Sequence, residues 1–222
     1  CVTLDGLTGK LGRGDVSFGG RIDKDGYLPG RLNVTMTGTD MQLRFPEGMR
    51  SLVDATLALQ GTMEDATLSG LVNVKDAVYQ RQFATGGGLF DFGGGDEAAA
   101  AGPAATTTVP LRYDIRIVAP STLQIRNNTL RIVADADVNL RGTFDRPLIL
   151  GRVEVTRGEA TVLAKRFVLT HATVDFNNPV RIEPFFDIEA ESRIRVPGET
   201  YLVTLRATGP LDRLKNFDLS SD

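Results

Sequence analysis

Between positions 130 and 140 the chain alternates. Leu130, Ile132, Ala134, Ala136, Val138 and Leu140 are apolar, Arg131, Asp135, Asp137 and Asn139 between them are polar, and Val133 is the one exception. Successive side chains of a strand point to opposite faces, so the stretch predicts one strand with an apolar side and a solvated side. At about 3.3 Å per residue it spans roughly 36 Å, well beyond a common strand. A second run repeats the design, with Phe186, Ile188, Ala190, Ile194 and Val196 alternating with Asp187, Glu189, Glu191, Arg193 and Arg195.

The same pattern recurs in shorter pieces along most of the chain. Leu32, Val34 and Met36 alternate with Asn33, Thr35 and Thr37, and Met41, Leu43 and Phe45 follow before Pro46. Val53, Ala55, Leu57 and Leu59 lead to Gly61, and residues 68–78 form a further strand candidate. Leu111, Tyr113, Ile115 and Ile117 run up to Pro120, and Leu123 and Ile125 precede Asn127-Asn128. Val153 and Val155 lead towards Arg157-Gly158, and Tyr201, Val203, Leu205 and Ala207 form the last clear strand before Gly209-Pro210. Turn chemistry is expected at Asp5-Gly6, Asp25-Gly26, Asn127-Asn128, Gly142 to Pro147, Arg157-Gly158, Asn177-Asn178-Pro179 and Pro197-Gly198. No segment carries a 3.6-residue apolar period with caps, so helix is expected to be almost absent.

Residues 84–108 differ in kind, with glycines at 86–88 and 93–95, alanines at 98–101 and threonines at 106–108. Such composition buries too little to offset its ordering entropy, which predicts a mobile insert. It divides the chain into a β portion at 1–83, the insert at 84–108, and a β portion at 109–222 continuous with the same sheet. An internal repeat links the two portions. Gly61-Thr62-Met63-Glu64 and Gly142-Thr143-Phe144-Asp145 lie 81 residues apart, as do Gly70-Leu71-Val72-Asn73-Val74 and Gly151-Arg152-Val153-Glu154-Val155. Gly209-Pro210-Leu211-Asp212-Arg213 begins a third copy. A strand–turn–strand unit of this kind is typical of arrays in which each unit contacts its neighbours.

With 222 residues and 41% hydrophobic content the chain can bury a real core. A net charge of −3 gives no electrostatic reason to expect nucleic acid. No apolar run reaches the length of a membrane helix, and no signal peptide is visible, so the stretch reads as a piece of a longer polypeptide. Cys1 is the single cysteine and reads as a boundary residue, which excludes an internal disulfide.

Candidate chemistry is sparse. His171 is the single histidine, and with one cysteine the usual zinc sets cannot be assembled. Asp135 with Asp137, and Glu189 with Glu191, each share a strand face, as glycoside hydrolysis would need. Arg131, Arg141, Arg193 and Arg195 are interleaved on those faces, which reads instead as a solvated surface with cross-strand charge pairs. There is no phosphate loop, dinucleotide fingerprint or nucleophile elbow. The expectation is a non-enzyme without cofactor or metal.

Every clear strand has one apolar side that must be covered by helices, by a second sheet, or by the sheet curling over itself. Without helices, a sandwich, a closed barrel or a folded-over sheet remains. Alternation alone favours an ordinary packed sandwich core over an open furrow wide enough for an acyl chain, because most apolar strand faces are core.

Residues 151–160, Gly-Arg-Val-Glu-Val-Thr-Arg-Gly-Glu-Ala, resemble the C-terminal domain of the TamB family. The likeness continues through Phe167-Val168-Leu169, Thr173-Val174-Asp175-Phe176-Asn177-Asn178-Pro179, Asp187-Ile188-Glu189-Ala190 and residues 203–211. It covers about Leu111 to the end; residues 1–83 match in style, and the Gly/Ala-rich insert departs from the pattern. The resemblance implies an all-β, folded-over (taco-like) sheet of long, mostly consecutive antiparallel or mixed strands around an apolar groove. It also implies a protein anchored in the inner membrane that crosses the periplasm of a diderm bacterium and meets TamA, an outer-membrane β-barrel. Membrane contact would run through parts of the full-length protein outside this stretch. The implied role is assembly of outer-membrane proteins, autotransporters included, and phospholipid movement between the two membranes.

With that resemblance, the groove becomes the favoured reading. Its lining is assigned to Leu130, Ile132, Ala134, Ala136, Val138, Leu140, Val153, Val155, Ile188, Ile194, Val203 and Leu205, with phospholipid acyl chains or nascent outer-membrane β-strands as cargo. The strand holding Tyr201, Val203, Leu205 and Ala207 is expected to be an edge that pairs with a partner strand. The alternatives are a β-sandwich module binding a protein or glycan, and a jelly-roll hydrolase using the paired carboxylates.

Overall fold

A computed structural model of the chain describes residues 2–25, 28–44, 48–80, 110–162, 165–210 and 218–221. Its alternating segments form twelve strands: β1 (Val2–Leu11), β2 (Gly14–Asp25), β3 (Leu28–Leu43), β4 (Met49–Gly61), β5 (Ala66–Tyr79), β6 (Leu111–Arg126), β7 (Leu130–Thr143), β8 (Pro147–Val162), β9 (Lys165–Phe176), β10 (Pro184–Val196), β11 (Glu199–Pro210) and β12 (Asp218–Ser221). No helix occurs among the described residues. All twelve belong to one sheet in chain order, which does not close into a barrel. At about 4.8 Å per strand the sheet is roughly 50 Å across. The expected all-β folded sheet is what the chain builds, and a two-sheet sandwich is not.

Every neighbouring pair is antiparallel except β5 and β6, which run parallel from Ala66↔Leu111 to Tyr79↔Ile125. A parallel step cannot be closed by a hairpin, because the chain must return to the end from which it started. The segment between Tyr79 and Pro110 makes that return, and the expected insert at 84–108 lies within it, outside the described residues. The parallel pair joins both β portions into one sheet.

Long strands in one sheet accumulate twist and curvature, and a line of irregularities breaks the ladder at matching depths. Opposite Asp54, β3 carries an extra residue between Gly38 and Met41. Lys75 is the extra residue of β5. β6 accommodates additional residues between Ala119 and Leu123, and Thr156 is the extra residue of β8. Such bulges bend a strand and raise its local twist. Two bulged residues, Asp40 (φ 53°) and Ser121 (φ 51°), adopt the left-handed conformation although neither is glycine. Each is held there by a carboxylate of the next strand. The Asp40 N–H donates to Asp54 Oδ1 at 2.8 Å, and the Ser121 N–H and hydroxyl both donate to Asp135 Oδ1. Asp40 and Ser121 are 81 residues apart, as are Asp54 and Asp135. The sequence repeat is therefore a structural repeat.

The first copy is closed by Lys75, whose Nζ lies 2.8 Å from both Asp40 and Asp54. In the second copy Thr156 takes that place, its hydroxyl 3.5 Å from Ser121 Oγ. The hydrogen bond from Lys75, helped by the Asp40 N–H, holds the Asp54 carboxyl below its ordinary value. A lowered carboxyl contributes stability above its unfolded pKa and loses it as pH falls through the folded value. Asp54→Asn should therefore lose less stability than wild type between about pH 7 and pH 3, measured by denaturant titration. Equal losses in the two proteins would refute the assignment.

Two expected turns are corrected. Asp5-Gly6 is a bulge inside β1, between Leu4↔Gly20 and Leu7↔Phe18. Arg157-Gly158 lies within β8, just past the Thr156 bulge, because the ladder to β7 resumes at Arg157↔Val133. At Asn127 the turn is as expected, with Asn127 Oδ1 accepting from the N–H groups of Thr129 and Leu130. The expected Asp25-Gly26 turn falls partly outside the described residues.

Candidate functional site

Residues directly opposite one another on paired strands share a face, so the register decides which apolar positions meet. One row can be followed across ten strands: Gly9, Val16, Gly38, Ala55, Val72, Ile117, Val138, Gly151, Phe176 and Pro184. Every member is apolar or glycine. One face of the sheet is thus continuously apolar from β1 to β10.

Of the predicted lining, Leu130, Ile132, Ala134, Ala136, Val138 and Leu140 stand along this face of β7, the last five opposite Ile125, Leu123, Ala119, Ile117 and Ile115 of β6. Val153 and Val155 of β8 lie opposite Ala136 and Ala134. The face continues through Val174 of β9 to Phe186 of β10, so Ile188, Ile194, Val203 and Leu205 belong to it as well. Sequence reasoning left out the contribution of β2–β6. The signal was the same alternation, but pairing was needed to bring it to the same face.

Burial divides the lining unevenly. Ala134 is 1% exposed and Leu205 3%. The other ten are half-buried, as are Ile117, Leu123 and Ile125 of β6 and Val72 and Val74 of β5. The core clusters are local: Val16, Met41, Val53 and Ala55 pack across β2–β4, while Phe167, Ala190 and Leu205 pack across β9–β11. Contact between strands that are not hydrogen-bonded neighbours is confined essentially to β1 with β3. Ala134 is shielded by larger side chains beside it, while most of the lining keeps part of its surface open.

The expected edge requires a correction. β12 pairs with β11 from Val203↔Ser221 to Arg206↔Asp218, so Val203 and Leu205 are not on a free edge. Tyr201 and Ala207 flank the paired stretch. A four-residue strand is too short to display an alternation, which is why its sequence gave no sign of it.

The opposite face is polar and charge-matched through its middle. Arg141 stands 3.5 Å from Asp114, and Arg206 lies 3.2 Å from Glu189. Arg152 pairs with Asp175 at 2.6 Å, and Arg116 grips Asp137 with two hydrogen bonds of 3.0 and 2.7 Å, holding that carboxyl below its ordinary value. Asp135 is the bulge acceptor already described. The paired carboxylates Asp135/Asp137 are thus each engaged by a neighbouring strand, and Glu189 is ion-paired. No group of side chains arranged to hold a metal occurs among the described residues.

No helix among the described residues is long and apolar enough to cross a membrane, which says nothing of strands. A search of curated proteins gives no match. The family described as TamB C-terminal domain matches residues 5–222, nearly the whole sheet including the N-terminal strands that resembled it only in style. The chain belongs to the TamB C-terminal domain family.

Proposed function

We propose that the apolar face is a non-catalytic conduit that shields acyl chains or nascent β-strands. Membership of the family carries a TamB-like role in the translocation and assembly module, association with TamA, and a periplasmic, envelope-associated setting in a diderm bacterium. The finer reading is that this chain, anchored through the rest of its protein in the inner membrane, serves outer-membrane protein and autotransporter assembly and phospholipid movement between the membranes. One observation carries it: an apolar face unbroken across ten strands, along which ten of the twelve assigned lining residues stay half-open. Burying an alkyl chain there is worth about 0.8 kcal/mol per methylene, so a dozen methylenes supply roughly 10 kcal/mol before ordering costs.

Native mass spectrometry of the purified chain should reveal co-purified phospholipid. The Ile188→Asp variant should elute as a folded monomer-sized species with that lipid reduced by more than about tenfold, the loss of roughly two methylene contacts. Lipid-free wild-type protein that also takes up none from mixed micelles would overturn the reading.

A further inference from the structure

Away from the charge-matched middle, the polar face changes character at the end of the strands bearing the β6–β7, β8–β9 and β10–β11 connections. Six arginines gather there: Arg126, Arg131, Arg157, Arg166, Arg193 and Arg195. Arg126 of β6 stands directly opposite Arg131 of β7, and like charges in that relation repel. Arg131 and Arg166 share a single carboxylate, Glu159, at 3.9 and 3.5 Å. Arg126, Arg157, Arg193 and Arg195 have no ion-pair partner among the described residues. The hydroxyl of Ser192 donates to the Arg166 carbonyl at 2.7 Å, which ties the β9 part of the cluster to β10. In a chain of net charge −3, this concentration of positive charge is local.

Apolar side chains stand among the arginines on the same face. Arg126, Arg131, Arg157 and Glu159 line a shallow cleft together with Val133 and Val168. Val168 is 54% exposed, and Leu202, opposite Arg193, is 38% exposed. An acidic protein surface would need carboxylates registered against these guanidinium groups. A bilayer offers phosphates in every register and an interfacial layer that accepts the exposed aliphatic side chains.

We propose that this arginine cluster docks the polar face of the sheet on an anionic phospholipid surface. The site is on the face opposite the apolar groove and does not depend on the groove's carrying lipid. Binding is driven by charge, so it requires anionic lipid and weakens with salt.

The test is co-sedimentation of the chain with vesicles of phosphatidylethanolamine containing about 30% phosphatidylglycerol, against vesicles without it. Wild type should bind the anionic vesicles and weaken several-fold between about 50 and 200 mM salt. Each arginine near the surface is worth about a fivefold change in affinity, so the triple variant Arg126→Gln, Arg131→Gln, Arg157→Gln should bind about a hundredfold more weakly. All three side chains are exposed, and an unchanged melting temperature checks that the variant is folded. A control with the same charge change at the opposite strand ends, Arg21→Gln, Arg31→Gln, Arg146→Gln, should stay within about threefold of wild type, because those charges lie beyond a Debye length of the site. Equal binding to neutral vesicles, equal losses in the two triple variants, or no binding by wild type would each overturn the proposal. Loss of co-purified lipid in the Ile188→Asp variant tests the groove separately.

Discussion

Aspartate in place of Ala134 should unfold the sheet locally and lower the melting temperature by about 10 °C, whereas aspartate at Ile132, on the same face of the same strand, should leave the protein folded. Ala134 is 1% exposed and stands between Leu123 of β6 and Val155 of β8. A carboxylate there has no cation within its apolar surroundings, and an uncompensated buried charge costs about 3–5 kcal/mol, a large share of the stability of an ordinary domain. For a chain of this size that corresponds to the shift stated. Ile132 is half-buried, opposite Ile125 and Gly158, so a shorter charged side chain there can reach water. Its cost is mainly the aliphatic area lost, about 1–2 kcal/mol. Melting followed by far-ultraviolet circular dichroism separates the two, and binding of a fluorescent fatty acid reports the groove. If both variants unfold alike, the face is a filled core and the conduit fails.

The uneven burial behind that contrast was only half visible in the sequence. Alternation picked out the lining of β7, β8, β10 and β11 because those faces are read residue by residue. It did not predict that Ala134 would be sealed while Ile132 stays open, since shielding in a sheet depends on the strands either side. The same limit explains the misread glycines. Asp5-Gly6 and Arg157-Gly158 have turn composition, yet a bulge uses the same residues for the same reason: one position departs from extended geometry. What marked the bulges was a slip in the phase of alternation. Apolar positions fall at Leu32, Val34 and Met36 and then at Met41 and Leu43, and at Val153 and Val155 and then at Gly158 and Ala160. A slip with a strand on both sides is a bulge, because a true turn reverses the chain and a bulge only shifts its facing. The arginine cluster escaped the sequence for another reason. Its members are spread from position 126 to 195, and only the register brings them to one end.

Valine at Gly151 should be among the most damaging substitutions in the chain, and valine at Gly70 should match it. Gly151 has φ +134°, where L side chains are strained, and an added Cβ would fall 2.3 Å from the Asp137 carbonyl oxygen and 2.8 Å from Val138 Cα. Gly70, 81 residues earlier, has φ +145° and would place its Cβ 2.1 Å from the Thr56 carbonyl oxygen. In both cases the obstacle is the backbone of the neighbouring strand, which cannot yield without opening the ladder. Strain of about 1–3 kcal/mol adds to the overpacking cost of similar size, giving about 3–5 kcal/mol at either site. Gly9 sits in the same apolar row, but its added Cβ meets nothing within 4 Å and its φ is not in the left-handed region. Gly9→Ala should therefore cost less than about 1 kcal/mol and can even stabilise by restricting the unfolded chain. Denaturant titration of the three variants reads these differences directly. Matching losses at Gly70 and Gly151 with none at Gly9 would show that the 81-residue repeat preserves two strand crossings at backbone contact, whereas a tolerated Gly151→Val would mean that β7 and β8 can part there at little cost.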